Sequence, residues 1–441
     1  MSRFEDRRDA RDGLKVITGG RTPMVAAVDL GASKIGCFIM KSDGVRRDEG
    51  VVQVAGVAHV RSRGVRGGAI VSLEDAAGAL AQAVERAEAM AGVRVSGVVL
   101  TSSGGGLASA RVRAAVSLGA RPITDHDCSR TIQMALGQAR FAGRRPIHLL
   151  PVAWSVDNQT GVRDPRGMYG QRLGLELLVV TVAETAYATF AHCAELAHLQ
   201  LEGVVAAPFA SGLAALEEDE MDLGAVCIDM GGGSTSVAVF GGGSLLHVDS
   251  LSVGGQHVTS DIARGFSTTL AGAERLKTLH GSAIASAGED REMVETPPRG
   301  DDPGAAPVIA PRSLLKGIIA PRVEETLELI RDRLKAAGAP IDAAAGVVLT
   351  GGASELAGVR EVAIQVFDRP VRLGRPRRAP HLADAASGPA FCAAAGVLQR
   401  AAFGPREAAQ IKAAAAQQQA RAAQAYAGPL AKAVGWLRTN L

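Results

Sequence analysis

An apolar run ending in Asp-x-Gly occurs twice in this chain, at Asp29 in MVAAVDLGASKIGCFIM and at Asp229 in GAVCIDMGGGSTSVAVF, two hundred residues apart. Each reads as a buried strand, a glycine turn and a second strand: a β-hairpin with a carboxylate at the mouth of its turn. So wide a separation is not a short-period repeat and predicts two related lobes. The 441 residues, 47% of them hydrophobic, can supply a core to each lobe.

The segments between extend this α/β pattern. VVQVAGVAHV continues the strands, LEDAAGALAQAVERAEAMAG is helical in composition, and VSGVVLTSSGGG is a buried strand running into a loop. From Leu107 to about Val182 the texture changes to RVRAAVSL, then a helix in ITDHDCSRTIQMALGQAR opened by an Asp or Thr cap, then the strands IHLLPVAWSV and LGLELLVVTV. This stretch is expected to be a small α+β module inserted into the first lobe. The helix ETAYATFAHCAELAHL, the segment LEGVVAAPFASGLAAL and the second Asp-x-Gly hairpin follow. Residues 281–312, polar and rich in Pro, Gly and acid, are expected to be a mobile insertion. Two helical signals follow it, in LLKGIIAPRVEETLELIRDRLKAAG and AGVVLTGGASELAGVREVAIQVF. Residues 1–22 read as a disordered arm, and 401–428 as an Ala/Gln-rich, partly helical spacer.

Composition narrows the function classes. With 48 Lys+Arg against 45 Asp+Glu, and aromatics at 3%, the chain lacks both the general positive charge and the stacking platforms of a nucleic-acid grip. Its five cysteines are scattered without a C-x-x-C, so neither a disulfide framework nor a structural zinc is expected, and a reducing cytoplasm is. His192, Cys193 and His198 invite a metal reading, but the two histidines fall on different helix faces and packing is the simpler role.

The chemistry gathers at the glycine turns. Asp29, Gly31, Ala32, Ser33 and Lys34 in one turn, and Asp229, Gly231, Gly232, Gly233, Ser234 and Thr235 in the other, can present backbone N–H groups and hydroxyls to phosphate oxygens. The two carboxylates suit a hydrated Mg²⁺, held through water. An ordinary β-hairpin is the alternative for either turn alone. A third element, the strand Val347–Thr350 with Gly351, Gly352, Ala353 and Ser354 after it, lets a flat base or ribose pack on backbone. In AGAERLKTLHG, Glu274 and Lys277 lie one helical turn apart, placed either to hold a ribose and a base edge or to form a solvated salt bridge. The chain contains no Gly-Lys dipeptide, which excludes a P-loop, and GGGSTS lacks the third glycine of a dinucleotide fingerprint.

The order of these elements resembles the actin/sugar-kinase/heat-shock-chaperone superfamily: residues 29–34 match its first phosphate motif, 229–235 its second and 349–354 its adenosine motif. In detail the chain is similar to the FtsA family of bacterial cell-division proteins, through TDHDCSRTIQMA, IHLLPVAWSVDNQTGVRDPRGMYGQRL, VGGQHVTSDIARGFSTTLAGAERLK, LLKGIIAPRVEETLELI and VVLTGGASELAGV. The resemblance covers most of residues 24–400. It implies an actin-like two-lobed α/β fold with duplicated ribonuclease-H-like cores. Residues 23–106 and 183–222 would form subdomain 1A, 107–182 an inserted α+β subdomain 1C, and 223–400 subdomains 2A and 2B. It further implies ATP with Mg²⁺ between the lobes, with Gly254 and Gly255 joining the site. Actin-like ATPases carry Glu or Gln just before a Pro-x-Ala segment; here Ala206 and Ala207 precede Pro208, so nucleotide binding with slow hydrolysis or none is expected.

At the C-terminus Leu430, Val434, Leu437 and Leu441 form one apolar stripe flanked by Trp436, after Pro429. The segment 429–441 fits a helix lying in a membrane surface, with docking on the protein's own core as the alternative. The resemblance favours the membrane. It implies self-association into filaments at the cytoplasmic face of the inner membrane at the division site, on anionic lipid. It also implies capture of the C-terminal peptide of the tubulin-like protein FtsZ, for which Arg312, Lys316 and Arg322 are candidates, and recruitment of downstream division membrane proteins. A sugar or metabolite kinase of the same superfamily, and an actin-like assembly platform of a pilus or secretion system, are the rival readings.

Overall fold

Each Asp-x-Gly turn closes a hairpin at the centre of a five-stranded sheet, and the two sheets share one topology. In the computed structural model, which describes residues 24–41, 53–139, 141–285, 291–298, 306–377 and 386–403, the chain opens with β1 (Met24–Leu30), β2 (Lys34–Lys41) and β3 (Gln53–Arg61). A two-residue ladder of β4 (Val65–Arg66) and β5 (Ala69–Ile70) leads to α1 (Leu73–Ala91) and β6 (Gly97–Ser102). In β1, Ala26, Ala27 and Val28 are fully buried, as a near-continuous apolar run requires when both sheet faces are covered.

The chain then enters a module formed by β7 (Ala108–Pro122), α2 (Asp125–Gln138), β8 (Arg144–Val156), β9 (Gln159–Val162) and β10 (Tyr169–Ala183). Residues 109–184 form a compact unit, with strand order β7-β10-β8-β9. Its core includes Val116, Ile132, Leu149, Trp154, Leu173 and Leu177. Thr124 is the N-cap of α2, in a capping box with Asp127, whose buried carboxylate also takes both arms of Arg121 at 2.7 Å. Those bonds to Arg121 and Thr124 hold the Asp127 carboxyl well below the usual range.

The larger unit resumes with α3 (Glu184–Leu196), β11 (Gln200–Ala206), α4 (Ala207–Ala215) and α5 (Glu218–Leu223). Its second half contains β12 (Ala225–Met230), β13 (Thr235–Gly241), β14 (Ser244–Leu251), α6 (Gly255–Gly265) and α7 (Leu270–His280). Next come β15 (Met293–Thr296), β16 (Val308–Pro311), α8 (Arg312–Ala336), β17 (Gly346–Thr350), α9 (Val359–Phe367), β18 (Val371–Leu373) and α10 (Cys392–Phe403). The sheets run β3-β2-β1-β6-β11 and β14-β13-β12-β17-β18, each with three antiparallel strands followed by two parallel ones. Asp29 lies opposite Gly36 in the first, and Asp229 opposite Ser236 in the second.

Two expectations are corrected here. Among its described residues, the stretch 281–312 contains two strands: β15 pairs antiparallel with β16, and Val294 and Ala310 enter the core of the second lobe. Short apolar alternation in MVET and VIAP was masked by the Pro, Gly and acidic residues around it. The helical signal from Leu314 begins earlier, at Arg312, and runs 25 residues as α8 through Pro321.

Helix α4, APFASGLAA, is apolar all round and almost wholly buried. It packs against α10, where a Cβ placed on Gly396 would stand 1.7 Å from the carbonyl oxygen of Ala210. The backbones therefore meet at a distance that only glycine permits. Gly396→Ala is expected to lower stability by roughly 2–3 kcal/mol, the scale of an overpacked core, read as a fall in the urea midpoint.

Candidate nucleotide site

The two hairpin turns face each other. Gly232 lies so close to Ser33 that an added Cβ would fall 2.0 Å from Ser33 Oγ, and one on Gly233 would fall 2.6 Å from the Ala32 Cβ. Polar contacts join the same edges. Ser103 Oγ and Ser234 Oγ are 2.9 Å apart, Gln256 Nε2 donates to the Ala32 carbonyl at 3.2 Å, and Ser252 Oγ donates to the Gly67 carbonyl at 3.2 Å.

Behind the turns sit two carboxylates in matching settings. Asp29 accepts from Thr101 Oγ1 of β6 at 2.5 Å, and Asp229 accepts from Ser211 Oγ of α4 at 2.6 Å. Both lie deep in the protein with part of their surface open to water, and desolvation raises both acids. The Thr101 bond and Lys34 oppose that rise at Asp29. Asp229 is pushed up to about 7 by burial, with the Asp29 charge adding to it and the Ser211 bond and Lys34 opposing it. Lys34 is brought down to about 8 by burial, against the attraction of Asp29, Glu355 and Asp229.

The adenosine-type turn joins this group. Gly351 has φ +82°, and a Cβ there would lie 2.4 Å from Asp229 Oδ1, so glycine is required on two counts. Ala353 abuts Gly255, with a 3.1 Å approach for an added Cβ. Gly254 and Gly255 buttress the second turn: Gly255 N–H donates to Gly231 O at 3.0 Å, and Gln256 N–H to Gly232 O at 2.7 Å.

Glu274 and Lys277 meet as the salt bridge their spacing also allowed. Lys277 Nζ donates to Glu274 Oε2 (2.7 Å), Thr259 Oγ1 (2.8 Å) and Gly255 O (3.1 Å), so its three donors hold α7 against α6. Of the basic trio, Arg312 pairs with Glu292, and Arg322 with Asp261 and Glu325. Ala206 and Ala207 are buried at the start of α4 and bring no polar side chain. His192 pairs with Glu195, and all five cysteines are buried. Leu430, Val434, Trp436, Leu437 and Leu441 lie outside the described residues, among which no helix is long and apolar enough to cross a membrane.

Sequence reasoning missed Thr101, Ser211, Ser103, Gly67 and Phe391. The run TSSGGG after a buried strand and the pair Gly67-Gly68 were usable signals, since Gly68 and Gly104 approach within 2.6 Å of an added Cβ. Nothing local marks Ser211 or Phe391.

Raised above its ordinary 3.8, the Asp229 carboxyl contributes stability below about pH 4 that is lost as the pH rises through about 7. Without nucleotide, Asp229→Asn is expected to flatten that fall and to be more stable than the parent at pH 8 by roughly 1–4 kcal/mol. Urea midpoints across that range test this; a variant that tracks the parent at every pH contradicts it.

Comparison with known proteins adds an independent finding. The family described as "Cell division protein FtsA" matches residues 226–396, and the "SHS2 domain inserted in FTSA" matches residues 104–181. A relative from Agrobacterium fabrum, described as cell division protein FtsA, is 41% identical over 404 residues, 90% of this chain and 91% of its own. Among solved structures, a PilM-PilN type IV pilus biogenesis complex superposes with TM-score 0.59 at 18% identity, over 86% of this chain and 99% of that one. MreB5 of Spiroplasma citri, solved bound to ADP, does so with TM-score 0.51 at 14% identity, over 86% and 97%. The fold is thus the actin-like one, two lobes on ribonuclease-H-like sheets with an inserted SHS2 module.

Proposed function

The chain belongs to the cell division protein FtsA family, and on that premise we propose that it binds ATP with Mg²⁺, assembles into filaments and tethers FtsZ filaments to the cytoplasmic membrane at the division site. In this reading residues 23–106 and 183–222 are subdomain 1A, 107–182 are 1C, and 223–400 are 2A and 2B. Later division membrane proteins are recruited to the assembled filament.

The observation that most supports the nucleotide part is the pairing of Asp29 and Asp229 behind facing glycine turns, with Lys34 close enough to both to feel their charge. The donor chemistry fits the ligand. Two carboxylates suit a hydrated Mg²⁺, which keeps several waters, and Lys34 with the turn N–H groups suits phosphate oxygens. Bound Mg²⁺ would neutralise phosphate charge. Because the turns touch, a phosphate chain held between them would require the Ser103–Ser234 and Gln256–Ala32 contacts to open. Ala206 and Ala207 cannot orient water, so the nucleotide serves mainly as a structural ligand that sets lobe closure.

Membrane residence rests on the terminal segment. One short amphipathic helix binds lipid modestly, and a filament carrying many of them binds with avidity. Co-sedimentation with anionic liposomes, with ATP and Mg²⁺ or without, compares the full chain with one ending at Gly428. The full chain is expected to pellet with lipid and the shortened one to stay in solution; equal behaviour would refute the tether.

For the FtsZ tail, the start of α8 offers a surface of mixed character. Met293, Ile309 and Leu314 are 56%, 58% and 44% exposed there. Lys316 lies one turn beyond Arg312, whose own charge is already paired with Glu292. Ile309→Asp with Lys316→Glu is expected to weaken binding of an FtsZ C-terminal peptide about tenfold, the scale of losing one apolar anchor and one ion pair. Fluorescence anisotropy of the labelled peptide reads this, and unchanged binding would place the tail elsewhere.

A further inference from the structure

The two lysines of the site are held in opposite ways. Lys277 has all three donors engaged by the protein. Lys34 Nζ instead sits 3.2 Å from the ring centroid of Phe391. Among the described residues no hydrogen-bond acceptor takes a proton from it. A largely buried ammonium with unengaged donors is costly, and the face of an aromatic ring lowers that cost without occupying the donors, because attraction to the ring's negative face is not a hydrogen bond.

The ring packs on the first lobe, and the turn that carries it is bonded to the second. Phe38 of β2 and His59 of β3 meet Phe391 edge-on, at centroid distances of 6.1 and 5.8 Å and interplanar angles of 63° and 66°. Phe391 closes the short 3-10 turn Pro389–Phe391. The Pro389 carbonyl accepts from the Gly351 N–H at 3.2 Å and from Thr350 Oγ1 at 3.0 Å. One short turn therefore ties the adenosine-type loop of the second lobe to the phosphate-type lysine of the first.

We propose that Phe391 is a positioning residue for the phosphate end of the ligand: its ring holds the Lys34 ammonium in place with its donors open to an anion, and the Pro389 carbonyl couples that placement to the Thr350–Gly351 turn. This inference rests on the nucleotide reading and goes beyond it, since neither the turn motifs nor the lobe topology requires an aromatic residue here. It predicts a loss that depends on the phosphates and not on the nucleoside. Without the ring, Lys34 has no fixed position, and each ligand that needs it must order it first.

The test uses the full-length protein with Mg²⁺ and measures calorimetric affinities for ATP, ADP and adenosine in the parent, Phe391→Leu, Phe391→Tyr, Lys34→Gln and the Leu/Gln double variant. Phe391→Leu is expected to weaken ATP and ADP by about tenfold, within the range of a desolvated cation–π contact, and to leave adenosine within about twofold. Phe391→Tyr keeps a ring and restores ATP affinity. In the Lys34→Gln background, Phe391→Leu is expected to cost nothing further, because the cation it positions is gone. Equal loss of adenosine and ATP makes Phe391 a packing residue and overturns the inference, as do additive effects in the double variant. A parent that binds adenosine but gains nothing from phosphates overturns the inference as well. A parent that binds none of the three overturns the nucleotide reading and this inference with it.

Discussion

Two carboxylates set into the protein at the ends of equivalent strands are the constraint around which the rest is arranged. Removing such a charge from water costs several kcal/mol unless it is compensated. Here each has one hydroxyl and a share of one lysine. Thr101 reaches Asp29 from a neighbouring strand of the same sheet, whereas Ser211 reaches Asp229 from α4, a helix that follows the first lobe's last strand. The first lobe's helix thus completes the second lobe's carboxylate. That compensation is partial, since burial still raises both acids.

The duplication is close in topology and broken in chemistry. Both sheets place the Asp on the central strand, opposite Gly36 in one and Ser236 in the other. Only the first turn ends in a lysine, and only the second has its carbonyls buttressed by the amides that open α6. One half therefore brings a side-chain charge, set on the Phe391 ring, and the other a hydrogen-bonded backbone frame. The α4–α10 contact at Gly396 keeps these two helices in backbone contact.

Much of the fold could be read from the chain because its signals are local. The run VAAVDLG specifies a strand and a turn within seven residues, and the capping box at Thr124 and Asp127 marks a helix start within four. The same locality made 281–312 misleading: MVET and VIAP are too short to outweigh the Pro, Gly and acidic residues near them, and their pairing is decided by the core that receives Val294 and Ala310. Likewise the spacing of Glu274 and Lys277 was compatible with ligand contact or with a salt bridge. The salt bridge forms, and Thr259, from another helix, joins it by accepting a bond from Lys277 and donating one to Glu274.

By itself the sequence determined that there are two Asp-x-Gly hairpins, that a third glycine turn follows a buried strand, and that an α+β module interrupts the first lobe. Glycine, Asp and apolar runs impose those features through backbone sterics and burial within a few residues. The tertiary structure decided which hydroxyl meets each carboxylate, which lysine keeps its donors open, and that Phe391 lies beneath Lys34. Those depend on side chains from distant segments arriving at one point, and no local propensity encodes which of several serines, lysines or phenylalanines will arrive there.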